Sequence, residues 1–298
     1  MAILNETLDG EESAGRSGWS RGAALLLRDK RAVVGLIILG LFSGMAIFAP
    51  LIAPYDPNAQ DFEMMERLSW AHPLGTDDLG RDLLSRLIFG TQISLFVGVS
   101  TVAISLVIGV FLGVVAGYFG GFLDNIIMRY IDVQWAFPNF IIAVYLVAVF
   151  GNGLMNVIIA ISLAFIDDFA RVARSMVLTI KEEQYIDAAK TVGASSARIM
   201  WLHVLPNAAA PLIVVGTVSI SYAILAEAGL SFLGLGVNPS TPTWGLILSE
   251  GRSFISRAWW IGVFPGLFIM LTVLSINFLG DALRDLLDTR ETSNIAAR

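Results

Sequence analysis

YIDAAKTVGASSARIMWLHVLP, residues 185–206, is a polar stretch set between two strongly apolar runs. Residues 185–192 are a run of helix formers carrying Asp187, Ala188, Ala189 and Lys190 after Tyr185. Gly193 then has the left-handed freedom that a helix end requires. Ser195 or Ser196 supplies the cap of a second helix, in which Ile199, Met200 and Leu202 are apolar and Arg198 and His203 polar. Leu205-Pro206 closes the unit. The small side chains of Ala188, Ala189, Gly193 and Ala194 gather at one bend, so another protein's surface can come close to the backbone there. On spacing alone, an amphipathic linker between membrane spans accounts for the same residues.

The surrounding composition is that of an integral membrane protein. Of 298 residues, 56% are hydrophobic and 15% charged, with a mean hydropathy of +0.73, outside the range of soluble globular domains. There are no cysteines, which excludes disulfides, thiolate metal sites and cysteine nucleophiles. The two histidines, His72 and His203, lie far apart and do not suggest a metal site. About six apolar runs approach the ~20 residues needed to cross a bilayer, at 33–53, 94–119, 126–150, 154–172, 208–233 and 259–279. The first follows Arg28, Lys30 and Arg31 and lacks a cleavage site, so it reads as an uncleaved signal anchor. Trp259 and Trp260 mark the outer edge of the last run as interfacial anchors.

The expected fold class is therefore all-α, with both termini on the cytoplasmic side. Arginines and lysines concentrate in the N-terminal tail, the 171–198 region and the C-terminus, as the positive-inside rule requires. The expected organisation is a cytoplasmic acidic tail at 1–31 and a transmembrane domain at 32–298. Within that domain lie an outer loop at 54–93 with a surface helix, a cytoplasmic segment at 176–207 and a cytoplasmic C-terminus at 281–298. The net charge of −6 gives no indication of nucleic-acid binding.

Charged residues in or near the spans each need a reason. In the outer loop, Thr76 is placed to cap a helix whose first turn carries Asp77 and Asp78, with Arg81, Asp82 and Arg86 on its polar face. Such a helix serves equally as a platform for a substrate-binding protein or as a plug sealing the outer rim. Arg129 and Asp132 are spaced to pair, Pro138 to kink the third span, and Asp167 and Asp168 to be neutralised by Arg171. Glu227 has no basic residue within a helical turn and lies about 29 Å along the fifth span. It reads either as a group in the passage or as a solvated or partner-paired carboxylate. Gly109, Gly113 and Gly117 recur every four residues, a close-packing face whose partner is open between its own bundle and a second subunit. No stretch fits a phosphate-binding loop, and none of Lys30, Lys181 and Lys190 follows a glycine. No serine elbow, HExxH or water-facing carboxylate pair is present, so the chain does not read as an enzyme.

Asp187-Ala188-Ala189, Gly193 and Leu205-Pro206 resemble the signature loop of permease subunits of bacterial ATP-binding-cassette importers, with Asp187 in place of the usual glutamate. HPLGTDDLGRDLLSRLIFG at 72–90 is similar to the outer-loop signature of the C-type permeases of dipeptide and oligopeptide importers. GYFGGFLDNIIMR, LSFLGLGVNPSTPTWG and NFLGDALRDLLD resemble the same group. The resemblance implies a type I importer permease fold and no cofactor on this chain. It further implies a second, B-type permease, one or two ATPase subunits using ATP and Mg, and an extracytoplasmic peptide-binding protein. It makes Tyr185, Asp187, Ala188, Ala189, Gly193, Ala194, Leu205 and Pro206 the expected contact with the ATPase. Asp77, Asp78, Arg81 and Asp82 become the expected contact with the binding protein. Glutathione, nickel complexes or other small solutes are alternative cargoes, and a secondary transporter or channel is the alternative class.

Overall fold

The structure, a computed structural model, describes residues 26–296, with side chains through residue 287. The expected tail at 1–31 lies outside the described residues except for 26–31, as do the side chains of the C-terminal segment beyond 287.

Asp29 opens helix α1, Lys30–Ile47, its carboxylate accepting from the Arg31 N–H at 2.8 Å. The short α2, Ala49–Ile52, follows with a proline in its first turn. After an irregular outer segment, α3 runs from Leu83 to Phe119, 37 residues or about 55 Å, well beyond the ~30 Å of a bilayer core. Then come α4, Gly121–Trp135; α5, Asn139–Phe150; α6, Leu154–Ala164; and α7, Ile166–Ile180. The polar stretch forms α8, Gln184–Thr191, and α9, Ser196–Ile199. A π turn, Met200–Val204, leads into α10, Leu205–Phe232, followed by α11, Trp244–Gly251, and α12, Trp260–Ala296.

Among the described residues four helical stretches are long and apolar enough to cross a membrane: Lys30–Ile47, Leu83–Phe119, Ser196–Phe232 and Trp260–Leu287. Two of the six expected passes differ. The third is broken rather than kinked: α4 and α5 meet at 92°. Pro138 lacks an N–H and drives the residue before it out of helical geometry, which stops α4 instead of bending it. The fourth is split at Phe165 into α6 and α7. Its second half carries Asp167, Asp168, Arg171 and Arg174, which removes it from the purely apolar class.

Tight packing of α3 against α7 forms the centre of the bundle. A Cβ on Gly109 would come 2.6 Å from the Ile166 carbonyl oxygen, and one on Gly117 would come 2.9 Å from Val177 Cβ. Gly113 faces Ala170 and Ala173 between them. The glycine stripe thus meets its own bundle, and its register shows α3 and α7 running parallel. Around this seam Phe169, Ala173 and Val177 are buried together with Val110 and Val114.

Long-range contacts sort the connections into two poles. Lys181 Nζ donates to the Gly117 carbonyl at 3.2 Å, and Arg174 forms a bidentate pair with Asp124, both bonds 2.6 Å. These tie one pole, which holds the 185–206 segment. At the other pole Asn152 Nδ2 donates to the Gly234 carbonyl at 3.1 Å and Trp260 Nε1 to the Thr76 carbonyl at 3.1 Å. Trp260 is 3% exposed, so it is a structural donor rather than the expected interfacial anchor.

The outer pole corrects the expected surface helix. Thr76 does not cap a helix; it pairs across a tight turn with Asp82 in an isolated bridge. Asp82 is the true cap of α3, accepting from the Ser85 N–H at 2.8 Å and the Ser85 hydroxyl at 2.7 Å. Its other oxygen meets His72 Nδ1 at 2.9 Å. Asp77 Oδ2 lies 2.6 Å from Arg81 Nε and 3.4 Å from Arg86 Nε. Both guanidiniums reach Glu250 of α11, at 3.0 and 2.8 Å. Asp77, Arg81, Asp82 and Arg86 are all buried, so the outer loop is latched onto α11 by charge.

Two predictions follow from this packing. Gly113→Val is expected to lower unfolding stability in detergent by about 1–3 kcal/mol through overpacking. Gly40→Ala, where a Cβ meets nothing within 4 Å among the described residues, is the control and does not lower it. Arg86→Ala is expected to cost about 3–5 kcal/mol, because Glu250 and Asp77 lose a buried partner. Equal thermal stability of that variant and the parent would contradict the latch.

Candidate functional site

Two physical features make residues 185–206 a candidate site: a root fixed in the core and exposed apolar side chains. The bend is local chemistry. Gly193 sits at φ 84°, and the Ala194 N–H donates back to the Ala189 carbonyl at 3.0 Å, the hydrogen bond of a glycine-ended helix. Nothing lies within 4 Å of the place a Gly193 Cβ would occupy. The backbone therefore demands glycine, and the space outside the bend is open. Ser195 Oγ accepts from the Arg198 N–H at 3.3 Å and caps α9.

Ile186, Ile199 and Val204 are buried in the main hydrophobic core, with Ala189, Ala194, Met200 and Leu205 packed beside them. Asn207 Nδ2 donates to the His203 carbonyl at 2.6 Å and to Tyr185 Oη at 3.4 Å, linking the start of α8 to the start of α10. The Tyr185 and His203 rings lie 6.1 Å apart. Of the expected contact residues, Tyr185, Asp187, Ala188, Gly193 and Pro206 are exposed, while Ala189, Ala194 and Leu205 are partly buried. Lys190 Nζ pairs with Asp187 at 3.0 Å on the outer face.

The expectation that Pro206 closes the second helix is corrected. The helical path continues from Ser196 to Phe232, with Pro206 at the start of α10 directly after the π turn and Pro211 inside α10, each removing one backbone donor from the run. The Leu205 N–H reaches the Met200 carbonyl, one residue further back than in an α-helix. That extra residue rotates the following faces. Leu202 is 59% exposed, as are its chain neighbour Trp201 at 70% and, at the end of α8, Val192 at 84%. The sequence does not single out Val192 and Trp201, and the structure leaves both of these large apolar side chains exposed.

The remaining expected site residues are enclosed by the chain itself. Asp77, Arg81 and Asp82 are committed to the outer latch, and only Asp78 is partly open, with Oδ1 unpartnered. Burial, and then the Asp77 carboxylate, push the Asp78 carboxyl above its ordinary value. These four do not form the expected exposed charged face. Burial likewise raises the Glu250 carboxyl, while Arg86 and Arg81 pull it back. Glu227 is fully buried where α10 meets the start of α11, accepting from the Ser231 hydroxyl at 2.8 Å. The expected Arg129–Asp132 pair gives way to a longer-range one: Arg171 Nη2 binds Asp132 at 2.7 Å.

Comparison with known proteins gives this geometry a family. The family described as binding-protein-dependent transport system inner membrane component matches residues 109–293, and the N-terminal TM domain of oligopeptide transport permease C matches residues 17–71. The di/tripeptide transport system permease protein DppC of Pseudomonas aeruginosa is 46% identical, over 88% of this chain and 89% of its own length. The glutathione transport system permease protein GsiD of Shigella boydii is 42% identical, over 97% of this chain and 96% of its own. Among solved structures, a chain of the inward-facing MetNI methionine ABC transporter superposes with a TM-score of 0.56 at 20% identity. It covers 68% of this chain and 97% of its own length, and the likeness speaks for the fold. The chain belongs to the binding-protein-dependent transport system inner membrane components: it is a multi-pass inner-membrane permease of the ABC importer class.

Proposed function

We propose that this chain is one of two permeases enclosing the passage of an ATP-driven importer that moves di- or oligopeptides from an extracytoplasmic binding protein to the cytoplasm. Its partner is a B-type permease, and ATP with Mg is hydrolysed by one or two separate ABC ATPase subunits. The observation that carries the reading is the joint at 185–206. It offers Val192, Trp201 and Leu202 to solvent while being helically continuous with a membrane span. An ATPase subunit docked on that rim tilts α10 as a lever, and the passage opens alternately to each side. At the other pole, the latched outer segment is a rigid face for the binding protein. Asp77, Arg81 and Asp82 support that face from beneath, and Leu79, 40% exposed, lies on it.

The peptide assignment is supported by the names of relatives that match most of the chain. A second reading, glutathione, is favoured by the near full-length GsiD match; glutathione is itself a short peptide.

Gly193→Val introduces a strain of about 1–2 kcal/mol at a left-handed position and fills the bend. We expect it to abolish uptake while the chain still inserts, and Trp201→Asp to weaken retention of the ATPase subunits on purified permease. Wild-type uptake and ATPase retention in both variants would overturn the coupling role. For the substrate, defined di- and tripeptides should compete with uptake in a strain lacking other peptide importers. Competition by glutathione alone would select the second reading, and competition by none of them would overturn the peptide assignment.

A further inference from the structure

The bundle carries an open groove of about 460 Å³ on its surface beside the α4–α5 break, lined by Asn139, Phe140, Phe165, Asp168, Tyr222 and their neighbours. That volume lies in the range of small-molecule sites. Tyr222 is ten residues before the end of α10 at Phe232, about 15 Å along the helix axis, which is half the depth of a bilayer core. Its ring is 58% exposed.

Asp168 is the only acidic group on this wall, and its expected partner is elsewhere. Arg171, one turn on, is held by Asp132 at 2.7 Å and lies 4.5 Å above the Trp135 ring. Arg174, the next cation of α7, is committed to Asp124. Among the described residues Asp168 makes no ion pair within 4 Å, and Arg171 acts on it only across a longer distance. Its neighbour Asp167 faces the other way, fully buried, with Gln134 Nε2 at 3.4 Å. An ionisable side chain kept unpaired at membrane depth is costly unless something else meets it.

We propose that this groove is a subsite for an ammonium-bearing solute, with Asp168 receiving the cation and Phe140, Phe165 and Tyr222 forming the aromatic wall around it. The chemistry is that of a carboxylate backed by ring faces, which attracts a cation by charge and by the ring quadrupoles. The apolar remainder of the wall accepts the uncharged body of the same solute. This rests on the peptide-importer reading: the α-ammonium of a short peptide is the group that Asp168 meets during passage.

The test uses the complete importer in proteoliposomes with its binding protein, measuring uptake of dialanine and N-acetyl-dialanine alongside binding-protein-stimulated ATP hydrolysis. Asp168→Asn is expected to raise the KM for dialanine about ten-fold or more. Stimulated hydrolysis and uptake of the acetylated compound stay unchanged. Asp168→Glu is expected to stay within about three-fold of the parent, and Tyr222→Leu to raise the dialanine KM by about three-fold or more. A parental dialanine KM in Asp168→Asn, or an equal loss for the free and acetylated compounds, overturns the subsite and leaves the peptide reading standing. If Asp168→Asn fails to assemble, Tyr222→Leu decides, since its exposed side chain is dispensable to the core; an unchanged dialanine KM there overturns the proposal. No dialanine uptake by the parent complex would overturn the peptide reading and this inference with it.

Discussion

Backbone hydrogen bonds inside a bilayer have no water to fall back on, so a segment that enters the membrane must arrive already helical. At the inner pole this constraint is met by one helical path from Ser196 to Phe232. The π turn at Met200–Val204 sits directly before Pro206 and shifts the hydrogen-bond register there, and Pro211 removes a further donor inside α10. The consequence is mechanical. A force on the rim at Trp201 and Leu202 is applied to the end of a rod, not to a flexible linker. The bonds from Asn207 to Tyr185 and His203 brace α8 against that rod.

The two poles solve opposite problems with opposite chemistry. Outside, the irregular chain from Ala53 to Asp82 has little helical bonding of its own, and buried charge does the fixing: Asp77, Arg81, Arg86 and Glu250 form one connected group. Such a group is intolerant of losing a member, which suits a surface that must hold its shape. Inside, charge lies at the periphery and large apolar side chains are left in water, which suits a surface completed by another subunit. Between the poles, the glycine stripe of α3 lets α7 approach closely, and this places the charged half of the fourth pass beside the broken third pass.

Sequence reasoning succeeded where the physics is local. A glycine at a helix end, a serine three residues before the N–H it caps and a four-residue recurrence of glycines are all decided within one or two turns. It failed where partners are remote. Asp132 was expected to find Arg129, three residues away, yet binds Arg171, 39 positions distant, because α4 and α7 cross there. Asp82, not Thr76, caps α3, since the Thr76 hydroxyl oxygen already accepts from the Glu66 N–H at 2.8 Å and the chain around it is held in a bridge. Arg86 and Glu250, 164 positions apart, had no local signal beyond an arginine near the start of an apolar run. The family motifs reached further than local physics could, because they name whole surfaces; they did not reveal which charges in those surfaces are buried.

The absence of native cysteines makes the central claim open to one direct measurement. Single cysteines at Val192, Trp201 and Leu79 can be tested for disulfide or short-linker cross-linking in the assembled importer, in membranes, with and without ATP. The account predicts cross-links from positions 192 and 201 to an ATPase subunit, changing in yield with ATP, and none from position 79. Cross-linking of the ATPase to position 79, or its failure at both 192 and 201 in a complex that transports, would contradict the assignment of 185–206 as the joint between ATP hydrolysis and the passage.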